Sequence, residues 1–306
     1  MDTATQHRSS VNSSDPLGSG EHNVYLNGVD LHYYVCGNGP LLFLISPGWG
    51  VGSGYLQRGF KSLQKRFRLV FMDTRGSGLS GRPADYTKMS SHDMADDLEA
   101  LREFLGLSAI QLLGHSNSGA IGLSYAERYP NRAEKLVLID SQVLGFDANA
   151  DTQALLKVKA EDPRYQAAVQ TAISYFSGRS QRFSNDEDLS AFVAEILPLY
   201  LANPEKNLMS AREQLLVEPI ALYAFVAQNA ADKVAASDQV ALFDQIRATV
   251  LIMAGRHDWI CPVSVSERLH AGIHKSRLVI FEESGHMPWI EEPEKFSAEL
   301  LPFLEG

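Results

Sequence analysis

The stretch LLGHSNSGAIG, from Leu112 to Gly122, joins a buried strand to a helix through a serine that has small neighbours. The apolar run AIQLLG comes directly before Ser116, and the helical pattern SGAIGLSYAERY follows it. So tight a turn strains the serine backbone and admits only small residues two positions away, as at Gly114 and Ser118. The pattern alone is weak evidence and also fits a helix N-cap. Between a strand and a helix, however, it favours a nucleophilic serine.

Strands and helices alternate on both sides of this turn. Short apolar runs typical of buried strands occur at PLLFLIS, RLVFMD, AIQLLG, AEKLVLID, ATVLIMAG and SRLVIFEE. Two further strands flank the tight turn Asn27-Gly28. Amphipathic helical patterns separate most of these runs. The sequence therefore predicts an α/β fold with a mostly parallel eight-stranded sheet and helices on both faces.

The alternation of strands and helices stops after Asp140. Only helical patterns follow, and the alternation resumes near the C-terminus. One of them, SNDEDLSAFVAEIL, has Ser184 and Glu187 at capping-box spacing. This block is rich in aromatic residues, which we expect mostly to pack and partly to line a pocket beneath. The predicted organisation is a mobile tail (1–22), the first part of the core (23–140), an inserted helical cap (141–238) and the second part of the core (239–306).

Composition excludes several classes of function. The 306 residues carry a formal charge of -10, which argues against a nucleic-acid partner, because such partners need clustered Lys and Arg. Cys36 and Cys261 form neither a disulfide framework nor a metal-binding spacing. The N-terminus lacks a secretory apolar region, and no apolar stretch reaches the roughly 20 residues that span a bilayer. We expect a cytoplasmic protein without a membrane partner or a bound metal.

A serine hydroxyl becomes a useful nucleophile when a histidine takes its proton and a carboxylate orients that histidine. The segment VLIMAGRHDWICP places Asp258 just beyond one strand, and LVIFEESGHMPW places His286 just beyond the last. With Ser116, they would lie at the C-terminal edge of one parallel sheet, where α/β folds bind ligands. Asp258 could instead cap the following helix, and His286 could be an ordinary loop histidine. Asp140, which ends the strand LVLID, is the alternative acid.

Four motifs identify a family resemblance. GHSNSG, DTRGSGLSGRP (Asp73 to Pro83), AGRHDWICP and SGHMPW match the α/β-hydrolase superfamily in order and spacing, over nearly the whole chain after the tail. The resemblance implies an α/β-hydrolase fold with Ser116 as nucleophile, His286 as general base and Asp258 as the orienting acid. The reaction of such a serine hydrolase needs no cofactor.

Within the superfamily the chain resembles the proline-iminopeptidase-like (peptidase S33-type) branch and related capped hydrolases of esters and C–C bonds. Proline iminopeptidases carry a His-Gly-Gly-Pro-Gly loop and a tryptophan after the serine. Here the loop reads Ser46-Pro47-Gly48-Trp49-Gly50, and Asn117 follows the serine. These departures argue against aminopeptidase activity.

The same loop has a role in acyl transfer, which needs two backbone N–H donors for the developing oxyanion. We expect the Asn117 N–H to be one donor and the Gly48 N–H to be the other, with the Trp49 N–H as the second choice for the latter. Pro47 is excluded because proline has no N–H. Trp49 is also a candidate substrate-binding residue. Trp289 could line the pocket or belong to the core.

The first functional hypothesis is a serine hydrolase that cleaves an ester, thioester or activated acyl bond of a hydrophobic small molecule. A C–C bond hydrolase of the β-diketone type would use the same three residues. An aminopeptidase would need an acidic patch, for which Glu195, Glu213 and Glu218 are candidates. A hypothesis of another class is a ligand-binding receptor or a non-hydrolytic biosynthetic catalyst on the same fold.

Overall fold

The structure is a computed structural model that describes residues 15–178, 182–216, 218–235 and 238–306. Most of the predicted N-terminal tail lies outside the described residues. The first strand already begins at Gly20, slightly earlier than the sequence pattern indicates.

One eight-stranded sheet forms the centre of the molecule. Its strands follow the order β1-β2-β4-β3-β5-β6-β7-β8. The pairs β1-β2 and β2-β4 are antiparallel, so β2 runs opposite to the other strands, and all other pairs are parallel. The predicted fold class and sheet are therefore confirmed. The strands are β1 (Gly20–Leu26), β2 (Val29–Cys36), β3 (Leu41–Ile45), β4 (Arg68–Met72), β5 (Ile110–His115), β6 (Ala133–Ile139), β7 (Thr249–Gly255) and β8 (Ser276–Phe281).

The α-helices fill the connections between the strands. They are α1 (Gly54–Gly59), α2 (Ser91–Phe104), α3 (Asn117–Arg128), α4 (Asn149–Ala160), α5 (Gln166–Phe176), α6 (Asp186–Ile196), α7 (Pro204–Leu215), α8 (Leu222–Ala235), α9 (Val263–Gly272), α10 (Pro288–Glu291) and α11 (Pro293–Glu305). Short 3₁₀ helices occur at Lys61–Lys65, Leu197–Tyr200 and Gln239–Gln245.

Both faces of the sheet are buried, which explains why the central strands read as continuous apolar runs. In β3, Leu42 and Leu44 point into one core cluster, which also contains residues of α1 and α11. Phe43 points into the other, which contains residues of α2, α3 and α9. At the sheet edge, Asn27 (φ 48°) and Gly28 (φ 79°) form the predicted tight turn between β1 and β2.

The helices α4 to α8 lie between β6 and β7, and we call this segment the helical insertion (residues 149–235). The predicted capping box at Ser184 and Glu187 is wrong by one residue. Helix α6 begins at Asp186, and the Asn185 side chain caps it by accepting a 2.7 Å hydrogen bond from the Asp188 N–H. Asparagine at this position satisfies an N–H that would otherwise lack a partner, as serine would. Among the described helices, none combines the length and apolar character that a membrane span requires.

Candidate active site

Ser116 occupies the turn between β5 and α3 in a strained backbone conformation. Its φ of 59° and ψ of -127° are uncommon for any residue with a side chain. Two backbone hydrogen bonds of 3.0 Å hold the turn: Ser116 N–H donates to the Ile139 carbonyl, and the Ser116 carbonyl accepts from Gly119 N–H. Such strain persists only where the surroundings enforce it and is a feature of functional sites.

The small residues around Ser116 are required by close packing. A Cβ at Gly114 would overlap the backbone oxygen of Ser118, and one at Gly119 would overlap Ser141 Oγ. Ser118 itself closes the turn, since its Oγ accepts from His115 N–H at 2.7 Å and donates to the His115 carbonyl at 2.8 Å. The sequence identified Ser118 as small but did not indicate these two bonds.

His286 and Asp258 form a buried hydrogen-bonded pair. Nδ1 of His286 lies 2.7 Å from Oδ2 of Asp258, and both side chains are almost fully buried. The other oxygen of Asp258 accepts from the Ile260 N–H at 2.9 Å. A carboxylate only accepts hydrogen bonds, so Nδ1 carries the proton and Nε2 is the nitrogen that can exchange one with another group.

The three candidate residues follow the C-terminal ends of strands in one sheet. Ser116 follows β5, Asp258 follows β7 and His286 follows β8. These strands are parallel, so their ends meet at the same edge. A hydroxyl on a strained turn and an imidazole oriented by a carboxylate are the groups that nucleophilic catalysis requires.

His286 is held from two sides by groups that sequence reasoning missed. Its N–H donates to the Tyr200 carbonyl at 2.6 Å, and the Tyr200 ring meets its imidazole edge to face at 5.3 Å. Its carbonyl accepts from Nε2 of His115 at 2.8 Å. Tyr200 belongs to the helical insertion, so part of the insertion directly positions this histidine.

His115 acts as a neutral hydrogen-bonding residue. Its Nε2 must carry the proton because the His286 carbonyl can only accept, and Nδ1 then accepts from the Tyr55 hydroxyl at 3.0 Å. Burial lowers the pKa of His115 well below its usual value, and charge on the nearby His286 lowers it further. His115 therefore supports the site without competing for protons.

Glu291 connects the loop of His286 to the helical insertion. One carboxylate oxygen accepts from Gly285 N–H at 2.6 Å, and the other accepts from Ala202 N–H at 2.8 Å. Burial raises the pKa of Glu291, against the effect of these bonds. Nearby, Lys159 Nζ donates to the Leu201 carbonyl at 3.0 Å, and burial lowers the pKa of this lysine to about 8.

The loop that follows β3 lies against both the serine turn and the helical insertion. The Asn117 side chain donates to the Pro47 carbonyl at 2.6 Å, which joins the turn to the loop. Trp49 N–H donates to Oε1 of Gln228, a buried residue of α8, at 2.6 Å. Gly48 and Trp49 both have positive φ, at 70° and 53°. The backbone N–H of Asn117, the first residue of α3, has no acceptor within its own helix.

A cavity of about 480 Å³ adjoins this loop. Gln142 lies in its wall and donates its N–H to the Ser116 carbonyl at 3.0 Å, whereas Ser116, Asp258 and His286 are not part of the wall. The wall mixes apolar, polar and charged groups; its residues are Trp49, Gln142, Leu144, Gly145, Asn229, Asp232, Lys233 and Asp238.

The two candidate tryptophans lie in different surroundings. Trp49 lines the cavity and meets Phe225 edge to face at 5.2 Å. Trp289 packs in the core between Phe60 and His115, and its Nε1 donates to Gln214 Oε1 at 3.0 Å. The structure thus places Trp289 behind His115 rather than in the wall of this cavity.

Aromatic rings of the helical insertion form a cluster in mutual contact, in which all but the exposed Phe176 are half-buried; its members are Tyr175, Phe176, Phe183, Phe192 and Phe225. At one end Phe225 contacts Trp49, and at the other Phe176 contacts Trp259, the neighbour of Asp258. The cluster therefore connects the loop after β3 with the loop that carries the acid.

Two sets of side chains in the site have metal-ligand atoms within 4.8 Å of one another: His115, Asp140 and His286, and Asp258, Cys261 and His286. Both nitrogens of His115 are engaged in hydrogen bonds, as is Nδ1 of His286. Burial raises the pKa of Cys261 well above its usual value, which disfavours the thiolate that binds metals. Hydrogen bonds therefore explain why the side chains of these two sets lie close together.

Comparisons with known proteins agree with this architecture. The pattern of the alpha/beta hydrolase fold family matches residues 42–293. A relative from Caulobacter segnis, named as a carbamate hydrolase, is 28% identical over 86% of this chain and 91% of its own.

Two solved structures share the fold with a TM-score of 0.70 each. An esterase from Exiguobacterium antarcticum is 20% identical, covering 94% of this chain and 100% of its own. A meta-cleavage product hydrolase from Pseudomonas fluorescens is 21% identical, covering 93% of this chain and 97% of its own. At these identities the likeness to the two structures concerns the fold alone.

Proposed function

The chain belongs to the alpha/beta hydrolase fold family and is a hydrolase, and we propose that it cleaves an ester, thioester or other activated acyl bond of a small molecule through Ser116, His286 and Asp258. The observation that carries this proposal is the 2.7 Å bond between Nδ1 of His286 and Asp258, on the sheet edge where Ser116 occupies a strained turn. A histidine held in this way has Nε2 available to act on a serine hydroxyl.

In the proposed mechanism, Ser116 Oγ attacks the carbonyl carbon while Nε2 of His286 takes the hydroxyl proton. Asp258 stabilises the imidazolium that forms, and this proton then passes to the leaving group as the bond to it breaks. Water attacks the acyl-enzyme next, giving one proton to His286 and leaving the acid product. The histidine returns that proton to Ser116 as the serine departs.

The proposed oxyanion donors are the backbone N–H groups of Asn117 and Gly48. In support, the Asn117 side chain holds the Pro47 carbonyl at 2.6 Å, so the two segments are linked directly. Loss of one such donor costs roughly 3 kcal/mol of transition-state stabilisation. Trp49 N–H is the second choice, and it is engaged by Gln228.

The proposed substrate combines an apolar part with a polar one. The aromatic cluster and Trp49 offer apolar surface for a hydrophobic acyl or alcohol group. In the cavity wall, the Asn229 side chain can donate a hydrogen bond to a polar group of the substrate or accept one from it, and the Asp232 carboxylate can accept one. A carbamate, the substrate class in the name of the Caulobacter relative, has the same acyl carbonyl and fits the proposed chemistry.

Labelling with a fluorophosphonate, followed by peptide mapping, tests the proposal. We expect one adduct on Ser116, absent from Ser116→Ala and strongly slowed in Asp258→Asn. Ser264→Ala, which removes a hydroxyl from α9, is the matched control and should label like the parent.

The substrate class is then found with p-nitrophenyl esters, thioesters, aryl carbamates, a β-diketone and a proline amide. Faster turnover of the β-diketone or of the proline amide would replace the acyl-ester assignment. If neither the fluorophosphonate nor a smaller sulfonyl fluoride labels Ser116, and no substrate turns over, the serine is not activated and the chain has a binding role.

A further inference from the structure

Two aspartates lie side by side beneath His286. Asp140 follows β6 and Asp258 follows β7, the neighbouring parallel strand, and both are 0% exposed. The Asp140 carboxyl lies within hydrogen-bonding reach of the Asp258 carboxyl. A backbone φ of 44° at Asp140 marks a second strained position, one strand away from Ser116.

The two carboxyl groups differ in the donors that reach them. Asp258 accepts from His286 Nδ1 through one oxygen and from Ile260 N–H through the other. Asp140 accepts only from Gly255 N–H, at 2.7 Å, through Oδ1. Its Oδ2 is buried, and no hydrogen-bond donor among the described residues reaches it.

Two ionised carboxylates in contact and out of water repel each other strongly, so such a pair keeps one proton. Asp258 has the donors that stabilise a negative charge, so the proton belongs on Asp140. Burial raises the pKa of Asp140 well above its usual value, and the charge of Asp258 raises it further. The other titratable groups that face the pair in the described part of the chain are His286, His115, Glu291, Cys261, Lys159 and Tyr200.

With the proposed roles of Ser116, His286 and Asp258 as its basis, we propose that Asp140 is a neutral carboxylic acid whose Oδ2 hydroxyl donates a hydrogen bond to Asp258. Asp140 is then a positioning residue. It fixes the plane of the Asp258 carboxylate and shares part of its charge. Asp140 works together with Asp258 and does not replace it.

Two variants separate this role from simple packing. Asp140→Asn keeps an acceptor for Gly255 N–H and supplies a neutral N–H donor to Asp258, whereas Asp140→Leu supplies neither. We expect Ser116 labelling to fall about tenfold or more in the leucine variant and clearly less in the asparagine variant. Recovery of labelling with asparagine but not with leucine would require the hydrogen bond to Asp258, because the two side chains are similar in size and only asparagine donates.

Carbon-13 NMR of labelled aspartate in the unmodified protein tests the proton directly. One buried carboxyl, assigned by its absence from Asp140→Asn, should remain protonated at neutral pH. An ionised Asp140, or an asparagine variant as impaired as Asp258→Asn, would overturn the proposal. This NMR titration uses no substrate. If Asp140 is protonated but Ser116 does not label, the hydrolase mechanism is contradicted. The proposed hydrogen bond between the two aspartates would then still be supported.

Discussion

Oε1 of Gln228 accepts a 2.6 Å hydrogen bond from the backbone N–H of Trp49. Gln228 belongs to α8 of the helical insertion, and Trp49 to the loop after β3 that also bonds to Asn117 through the Pro47 carbonyl. The insertion and the serine turn therefore hold the same short loop from opposite ends. Any loosening of this loop should affect both stability and chemistry.

We expect Gln228→Leu to lower the free energy of unfolding by about 1–3 kcal/mol, because the partly buried Trp49 N–H loses its acceptor. Loss of loop position should also reduce kcat by roughly tenfold or more. Denaturant unfolding and steady-state kinetics measure the two effects. Val226→Leu, on the exposed face of α8, should change neither. A leucine variant at position 228 with parental stability would show that this bond contributes nothing.

Alanine at Gly48 should impair the enzyme more than alanine at Gly28. Both glycines have positive φ, so both variants carry backbone strain. A Cβ at Gly48 would also overlap Gln228, whereas a Cβ at Gly28 meets no atom within 4 Å. Gly28→Ala is thus the matched control for strain without overlap. Equal losses of activity in the two variants would assign the effect to strain alone.

We expect kcat to fall from the parent protein to Asn117→Ala, and to fall further in Asn117→Asp. Alanine removes the donor to the Pro47 carbonyl, and aspartate replaces it with an acceptor that the carbonyl repels. Displacement of the loop by about 1 Å can cost on the order of 100-fold in rate. Initial rates on a p-nitrophenyl ester measure the series. An aspartate variant faster than the alanine variant would contradict the role of this bond.

Glu127 should make stability depend on pH. Both of its carboxylate oxygens are buried without a hydrogen-bond partner in the described part of the chain. Burial, with a further contribution from Asp238, raises its pKa from 4.5 to about 8. Below pH 4.5 both the folded and the unfolded state hold the proton, so there is no cost. Between pH 4.5 and 8 only the unfolded state ionises, so stability falls as pH rises.

We expect Glu127→Gln to match the parent at pH 4.5 and to exceed it by about 3–5 kcal/mol at pH 8. Unfolding curves across this range provide the measurement. Glu134→Gln removes an exposed carboxylate and should produce a difference that does not grow with pH. A constant difference between Glu127→Gln and the parent would mean that Glu127 is ionised in the folded protein.

The mostly parallel eight-stranded sheet could be predicted because buried parallel strands need apolar side chains on both faces, as at Leu42, Phe43 and Leu44. The strained turn at Ser116 could be predicted because its small neighbours are a local requirement. Asp258 and His286 followed from their places after strands, and the structure brings these two side chains together at 2.7 Å.

Contacts between distant segments could not be predicted in the same way. The bond from His286 N–H to the Tyr200 carbonyl uses a backbone acceptor, which leaves no pattern in the residue types. Trp289 could equally have been core or pocket, because only packing against Phe60 and His115 distinguishes the two. In the sequence, nothing distinguishes Gln228 from other polar helix residues, because its contact with Trp49 depends on the fold.

Tyr200 and Glu291 together make the helical insertion inseparable from the histidine loop. Exchanging this insertion for that of a relative would therefore replace a backbone support of His286 along with the pocket. Chimaeras that keep the segment from Leu197 to Asn203 and exchange only α4 to α6 offer the better route to new specificity. In this molecule the segment that can be exchanged therefore ends within the insertion and not at the ends of the insertion.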